Sequence, residues 1–175
     1  LREEGFGHNV SLIIEKPFGY DLFSSQQLNR ELTACFDESQ IFRIDHYLAK
    51  EAVQNILVFR FANMLFNPVW NSQYVESIQI NALEDIGIVE RGAYFDKAGI
   101  IRDMVQNHLF QLLSLLTMEA PASLDPQDIA AQKISLLRTL SVEACHRYQY
   151  SGYRDEKGVA PDSSTETFAE LKLAI

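Results

Sequence analysis

The apolar positions of the chain fall into periodic runs separated by turn-forming residues. Residues 10–14, Val-Ser-Leu-Ile-Ile, are a short β-branched run that stops at Glu15-Lys16-Pro17-Phe18-Gly19, as a buried parallel strand entering a loop does. Asp21 and Ser24 are N-cap candidates for a helix through Leu28, Leu32 and Phe36, which Asp37-Glu38-Ser39 ends. Residues 41–44 read as a second strand, and strand, helix, strand within this length is the βαβ pattern of a doubly wound sheet. Over 48–63 the apolar positions Val53, Ile56, Leu57, Phe59 and Phe61 predict a mostly buried helix, closed by Asn67-Pro68. Alternation around Val75, Ile78 and Ile80 predicts a strand over 73–83, and Gly87, Gly92 and Gly99 break the next stretch into loop. A long helix is expected from about 100 to 119, stopped by Pro121, and another over 126–140 behind an Asp125 cap. Residues 147–150 and 168–175 read as strands joined by a polar, mobile segment that contains Gly152, Gly158 and Pro161.

Composition narrows the class. With 175 residues, 47% hydrophobic and 22% charged, the chain can build one sizeable core. Its net charge of -9 excludes broad binding to nucleic acid or anionic membrane, yet leaves room for a small anionic ligand where a few cations converge. The longest apolar run, 109–118, contains Gln111 and Ser114 and falls short of the roughly 20 residues a membrane span needs. Cys35 and Cys145 stand far apart in no CxxC pattern, which fits reduced thiols in a cytosolic protein. The chain begins at Leu1 and ends in an alternating stretch, so both ends are expected to continue in a longer protein.

Three places carry candidate chemistry. The densest polar cluster, Arg43-Ile44-Asp45-His46-Tyr47-Leu48-Ala49-Lys50-Glu51, sits where a strand ends and a helix begins, a favoured ligand position in α/β folds. His46, Tyr47 and Lys50 beside a helix N-terminus supply the donors that a phosphate accepts; the same cluster also reads as an ordinary capped helix start with solvated charges. Lys16 follows a strand, and Pro17 and Phe18 would fix its position. His108 lies on the stripe Ile101, Met104, Val105, His108, Leu112, Leu115 at helical spacing, where a core histidine is the common outcome. Asp103, Gln106 and Asn107 on the same turns are costly against a closed apolar core and sensible beside a polyol. Asp45, His46, Glu84, Asp103 and His108 could ligate a metal, but no HxH or HExxH spacing supports one, and none is expected.

Taken in order, Ile14-Glu15-Lys16-Pro17-Phe18-Gly19, the nonapeptide Arg43 to Glu51, and Arg102-Asp103 followed by Gln106-Asn107-His108 resemble glucose-6-phosphate dehydrogenase. Val53-Gln54-Asn55, Arg60-Phe61-Ala62-Asn63, Trp70-Asn71 and Arg91-Gly92-Ala93-Tyr94-Phe95-Asp96 extend the likeness over nearly the whole chain. Ala49 departs from it, standing where the family pattern has glycine, and its methyl can crowd a phosphate or shift the helix start. The family's Gly-rich coenzyme fingerprint does not occur in these residues.

The resemblance implies an α+β chain: residues 1–43 as the tail of a Rossmann-like coenzyme domain, and 44–175 as part of a substrate domain built on a largely antiparallel sheet. It implies oxidation of glucose 6-phosphate at C1 to the lactone with hydride transfer to NADP, the first step of the pentose phosphate pathway. His108 matches the general base and Asp45 the carboxylate that pairs with it. His46, Tyr47 and Lys50 match the phosphate ligands, and Glu84 and Asp103 the acceptors of sugar hydroxyls. Lys16 matches the lysine between substrate and coenzyme, and Pro17 its neighbour at the nicotinamide. A cytoplasmic homo-oligomer is expected for the full-length protein, and no dehydrogenase activity for this segment alone. The rival expectations are a dehydrogenase of another sugar, separable by glucose against glucose 6-phosphate, and a non-catalytic sugar-phosphate or protein-binding domain.

Overall fold

The computed structural model describes residues 10–175; the chain divides into two compact units, Leu1–His46 and Tyr47–Ile175. Residues 1–9 of the expected 1–43 segment lie outside the described residues.

In the first unit, β1 (Leu12–Glu15) and β2 (Ile41–Ile44) pair in parallel around α1 (Leu22–Cys35). Asp21 caps α1 through its side chain, which accepts from the Ser24 N–H at 2.7 Å, while the Ser24 hydroxyl accepts from the Asp21 N–H at 3.1 Å, so the two expected caps act as one capping box. A 3₁₀ turn, Glu38–Gln40, follows, and Gln40 ties it to the start of β1 by donating to the Val10 carbonyl at 2.7 Å. The expectation that β1 is buried fails on one face: Ile13 and Phe42, partners in register, are both exposed. Burial on both faces needs cover on both, and α1 is the one α-helix among the described residues of this unit.

The second unit is α+β. It holds α2 (Glu51–Phe61), α3 (Gly92–Ile100), a π-helix (Ile101–Leu109), α4 (Phe110–Thr117), α5 (Pro126–Thr139) and an antiparallel pair, β3 (Ser141–Tyr148) with β4 (Phe168–Ala174). Val53, Leu115, Met118 and Leu136 form its helical core, flanked by Leu48, Ile56, Leu57, Phe61, Leu112 and Ile129. At the end of α4 the carbonyls have no intrahelical partners. The buried Arg60 guanidinium donates to Leu115 and Met118 oxygens at 2.8 Å each, and the Trp70 indole to Leu116 at 2.8 Å, which anchors α4 on α2 and the chain beyond it.

Several sequence expectations give way here. The helix expected over 48–63 ends at Phe61, because the Asn63 side chain accepts from the Leu65 N–H at 3.0 Å and turns the chain before Asn67-Pro68. Residues 75–84 form no strand, although Val75, Ile78 and Ile80 are the better-covered positions; alternation is present without a hydrogen-bonding neighbour among the described residues. The loop expected through Gly92 is α3, and only Gly99, at φ 72°, interrupts it. The helix expected over 100–119 therefore continues α3, and it stops at Thr117 because Met118 is extended. Asp125 makes no side-chain cap; the Ser123 hydroxyl instead accepts from the Asp125 N–H and donates to Asp128 at 2.7 Å. The strand expected at 147 begins at Ser141, six residues earlier.

The segment expected to be mobile is tied down. Tyr153 is fully buried and donates to Asp96 of α3 at 3.0 Å, Ser163 donates to the same carboxylate oxygen, and the Ala160 N–H reaches the other at 3.2 Å. Burial raises the Asp96 pKa, but these bonds and one from Thr165 outweigh it and hold the carboxyl below its ordinary value.

Candidate active site

In register Glu15 faces Ile44, so the next residues, Lys16 and Asp45, leave the carboxyl ends of neighbouring parallel strands side by side. That edge is where ligands lie in open α/β sheets. Lys16 and Asp45 are half-buried, Pro17 and His46 exposed. Arg43, from the same polar cluster, is turned elsewhere: it is paired with Glu38 and donates to the Asn29 side chain at 2.6 Å. The Arg43 bond holds the Glu38 carboxyl below its ordinary value.

The second unit opens on the same motif. Residues 47–49 form a turn, with the Lys50 N–H donating to the Tyr47 carbonyl at 3.2 Å, and Lys50 is the N-cap of α2. Its side chain makes no cap; the ammonium stands 4.2 Å over the Tyr47 ring. That ring in turn stacks on the His108 imidazole, centroids 4.4 Å apart and planes 14° apart. Residues 61 positions apart in sequence, one in the polar cluster and one on the apolar stripe, thus meet.

The π-helix puts Asp103 and His108 on related faces. At 3.6 residues per turn, five positions carry a side chain about 140° around an α-helix. Hydrogen bonding five residues back, as the Phe110 N–H does to Val105, widens the turn and brings residue i+5 nearly above residue i. Both are buried, Asp103 at 1% exposure and His108 at 6%. Asn107, within this stretch, donates to the Arg102 carbonyl at 2.9 Å. The apolar stripe at α-helical spacing gave no sign of the wider turn.

Two of the partners of Asp103, Arg91 and Tyr94, entered the sequence reading only within the family likeness, with no role attached. Arg91 Nη2 donates to Oδ2 at 2.9 Å, and the Tyr94 hydroxyl to Oδ1 at 3.5 Å. Burial and then the Asp103 charge raise the Tyr94 pKa, so the phenol stays a donor. Pattern alone does not link 91 to 103, because the break at Gly99 resets the helical phase between them. Glu84 is exposed in a stretch with neither helix nor strand, and no described contact joins it to Tyr47, Asp103 or His108.

The second unit therefore offers a phenol ring in contact with a buried imidazole on one hand and an ammonium on the other, and on the helix of the imidazole a buried carboxylate. These are a proton acceptor, two donors suited to an anion, and an acceptor for hydroxyls. Among the described residues no group of three or more His, Cys, Asp or Glu could hold a metal ion, and no helix is long and apolar enough to cross a membrane.

Two family models match the chain, one holding Tyr47 and Lys50 and the other Asp103 and His108. Residues 1–55 match the model described as the NAD binding domain of glucose-6-phosphate dehydrogenase, and residues 57–175 the model of its C-terminal domain. The cytoplasmic glucose-6-phosphate 1-dehydrogenase 6 of Arabidopsis thaliana is 48% identical over 178 residues, covering 100% of this chain and 35% of the relative. The glucose-6-phosphate 1-dehydrogenase of Bacillus subtilis is 47% identical over 94% of this chain and 37% of its own length. The chain thus spans about a third of the length of the curated relatives it matches. A solved glucose-6-phosphate dehydrogenase in complex with glucose-6-phosphate superposes with a TM-score of 0.90 at 41% identity, over 99% of this chain and 39% of that one. The enzyme of Mycobacterium avium gives 0.88 at 42% identity, over 94% and 38%.

Proposed function

Because the chain belongs to the glucose-6-phosphate dehydrogenase family, we propose that the protein containing it oxidises glucose 6-phosphate at C1 to 6-phosphoglucono-lactone, with NADP as hydride acceptor. The observation that carries this reading is the Tyr47 ring held between roles: 4.4 Å from the His108 imidazole and 4.2 Å from the Lys50 ammonium. It supports a phosphate anchor and a proton acceptor serving one small ligand.

In this reading His46, Tyr47 and Lys50 bind the 6-phosphate with charge and directed donors, fixing the end of the sugar remote from the reaction. Anchoring there raises the effective concentration of the base at C1. The C1 hydroxyl loses its proton to the His108 imidazole as the C1–H bond gives up its electron pair, and C1–O becomes the lactone carbonyl. Asp45 orients the imidazole and favours the imidazolium that forms. Glu84 and Asp103 accept from the sugar hydroxyls. NADP, when bound, supplies the acceptor for the departing hydride. What supports a coenzyme here is the parallel strand pair, at whose carboxyl edge Lys16 and Pro17 stand; these two residues would hold the nicotinamide end.

Residues 1–43 are, on this reading, the tail of a Rossmann-like coenzyme domain and 44–175 part of the substrate domain, within a cytoplasmic homo-oligomer. The test is His108→Asn in the full-length protein. It should keep binding glucose 6-phosphate while kcat falls about 100-fold to 10,000-fold. Unchanged turnover in steady-state assays removes His108 from the reaction.

A further inference from the structure

Asp103 is the most deeply buried carboxylate that the proposed pocket uses, at 1% exposure, whereas its partner Arg91 is 57% exposed at the side chain. A carboxylate taken out of water needs charge and hydrogen bonds from its surroundings, and it points where those partners hold it. Arg91 supplies a charge-assisted bond to Oδ2 at 2.9 Å, and Tyr94 approaches Oδ1.

The backbone around Arg91 is unusually constrained. Val89, two residues earlier, has φ 49°, a left-handed conformation that a β-branched side chain adopts only when its surroundings impose it. Gly92, the next residue, lies so close to the Lys157 carbonyl that a Cβ would stand 2.1 Å from that oxygen. Arg91 itself ends a 3₁₀ turn, Val89–Arg91, and is the N-cap of α3. Its guanidinium also lies 5.6 Å over the Tyr94 ring. Chain on both sides is therefore fixed, and the guanidinium is held between a ring and a carboxylate.

We propose that Arg91 is a positioning residue, assisted by Tyr94, which sets the orientation of the Asp103 carboxylate and so its grip on the sugar hydroxyls. The proposal rests on the placing of Asp103 in the sugar pocket above. Arg91 does not touch the reacting atoms; it acts through Asp103, so its removal costs substrate binding more than turnover.

The test is a double-variant cycle in the full-length protein with glucose 6-phosphate varied. Arg91→Met should raise KM about tenfold with kcat changed less than about threefold. Arg91→Lys, which keeps the charge but loses the planar fork, should recover part of that loss. On an Asp103→Asn background, Arg91→Met should add little, because the group it orients is gone. Should Arg91→Met fail to fold, Arg91→Gln carries the same cycle with a side chain of similar reach and no charge. An unchanged KM in the single variant, or losses that multiply in the double variant, overturns the positioning role. A wild-type protein that does not oxidise glucose 6-phosphate overturns the underlying function as well, whereas active wild type with multiplying losses overturns this inference alone.

Discussion

Lys50 serves the second unit with two sets of atoms. Its carbonyl accepts from Val53 and Gln54 N–H groups at 2.9 and 3.1 Å and so starts α2, while its ammonium stands over Tyr47. Only the second set is lost on truncation, because alanine keeps the backbone bonds. Lys50→Ala should therefore raise KM for glucose 6-phosphate by about tenfold or more with a smaller change in kcat, since a phosphate contact binds ground and transition states alike. A normal KM in initial-rate measurements takes Lys50 out of the anion site. The cluster of donors around Lys50 was legible from sequence because strand end, helix start and polar residues coincide there. Arg43 was not: nothing in the order of residues shows that its guanidinium folds back on Glu38 and Asn29.

At the scale of elements, the helix bearing Asp103 and His108 is set by contacts outside it. Its lead-in, α3, is clamped to the 150–166 segment by Asp96, which gathers Tyr153, Ser163 and Ala160, and by Thr165, whose hydroxyl donates to the Asp96 carbonyl at 2.6 Å. Gly92 lets that clamp close, as a methyl group there would meet backbone, not a yielding side chain. Gly92→Ala should accordingly destabilise the full-length protein by about 2 kcal/mol, seen as a lower denaturant midpoint at unchanged slope. A midpoint equal to that of wild type would mean that the segment does not press on α3. The sequence invites the opposite reading, since Gly92 and Gly99 look like loop punctuation and 150–166 like a polar linker. Local pattern reports how a segment would behave alone, whereas partners more than fifty residues away decided both. Elements whose bonds are local fared better: the capping box at Asp21 and Ser24, and α5 behind Pro126, follow from neighbours in sequence. The π-helix lies beyond such reasoning, because Ile101, Met104, Val105 and His108 satisfy the α-helical spacing equally well.

On the scale of the whole molecule, the two units differ in what they can do unaided. The second holds Tyr47, Lys50, Asp103 and His108 together with the helical core of Val53, Leu115, Met118 and Leu136, while the first holds Lys16, Pro17, Asp45 and His46 at the edge of a two-stranded sheet. Apolar side chains remain open to solvent on both, Ile13 and Phe42 on one and Met64, Leu65, Leu83 and Ile86 on the other. No Gly-rich turn occurs in these 175 residues, and such a turn before a helix is a common backbone cradle for the pyrophosphate of a dinucleotide. A chain of these 175 residues, mixed with glucose 6-phosphate and NADP, should consequently form no reduced nicotinamide, read by its absorbance. Adding a separately expressed coenzyme half is the discriminating step: turnover gained only on mixing would tie the missing activity to the missing cradle, whereas reduction by this chain alone would show that the coenzyme binds without it.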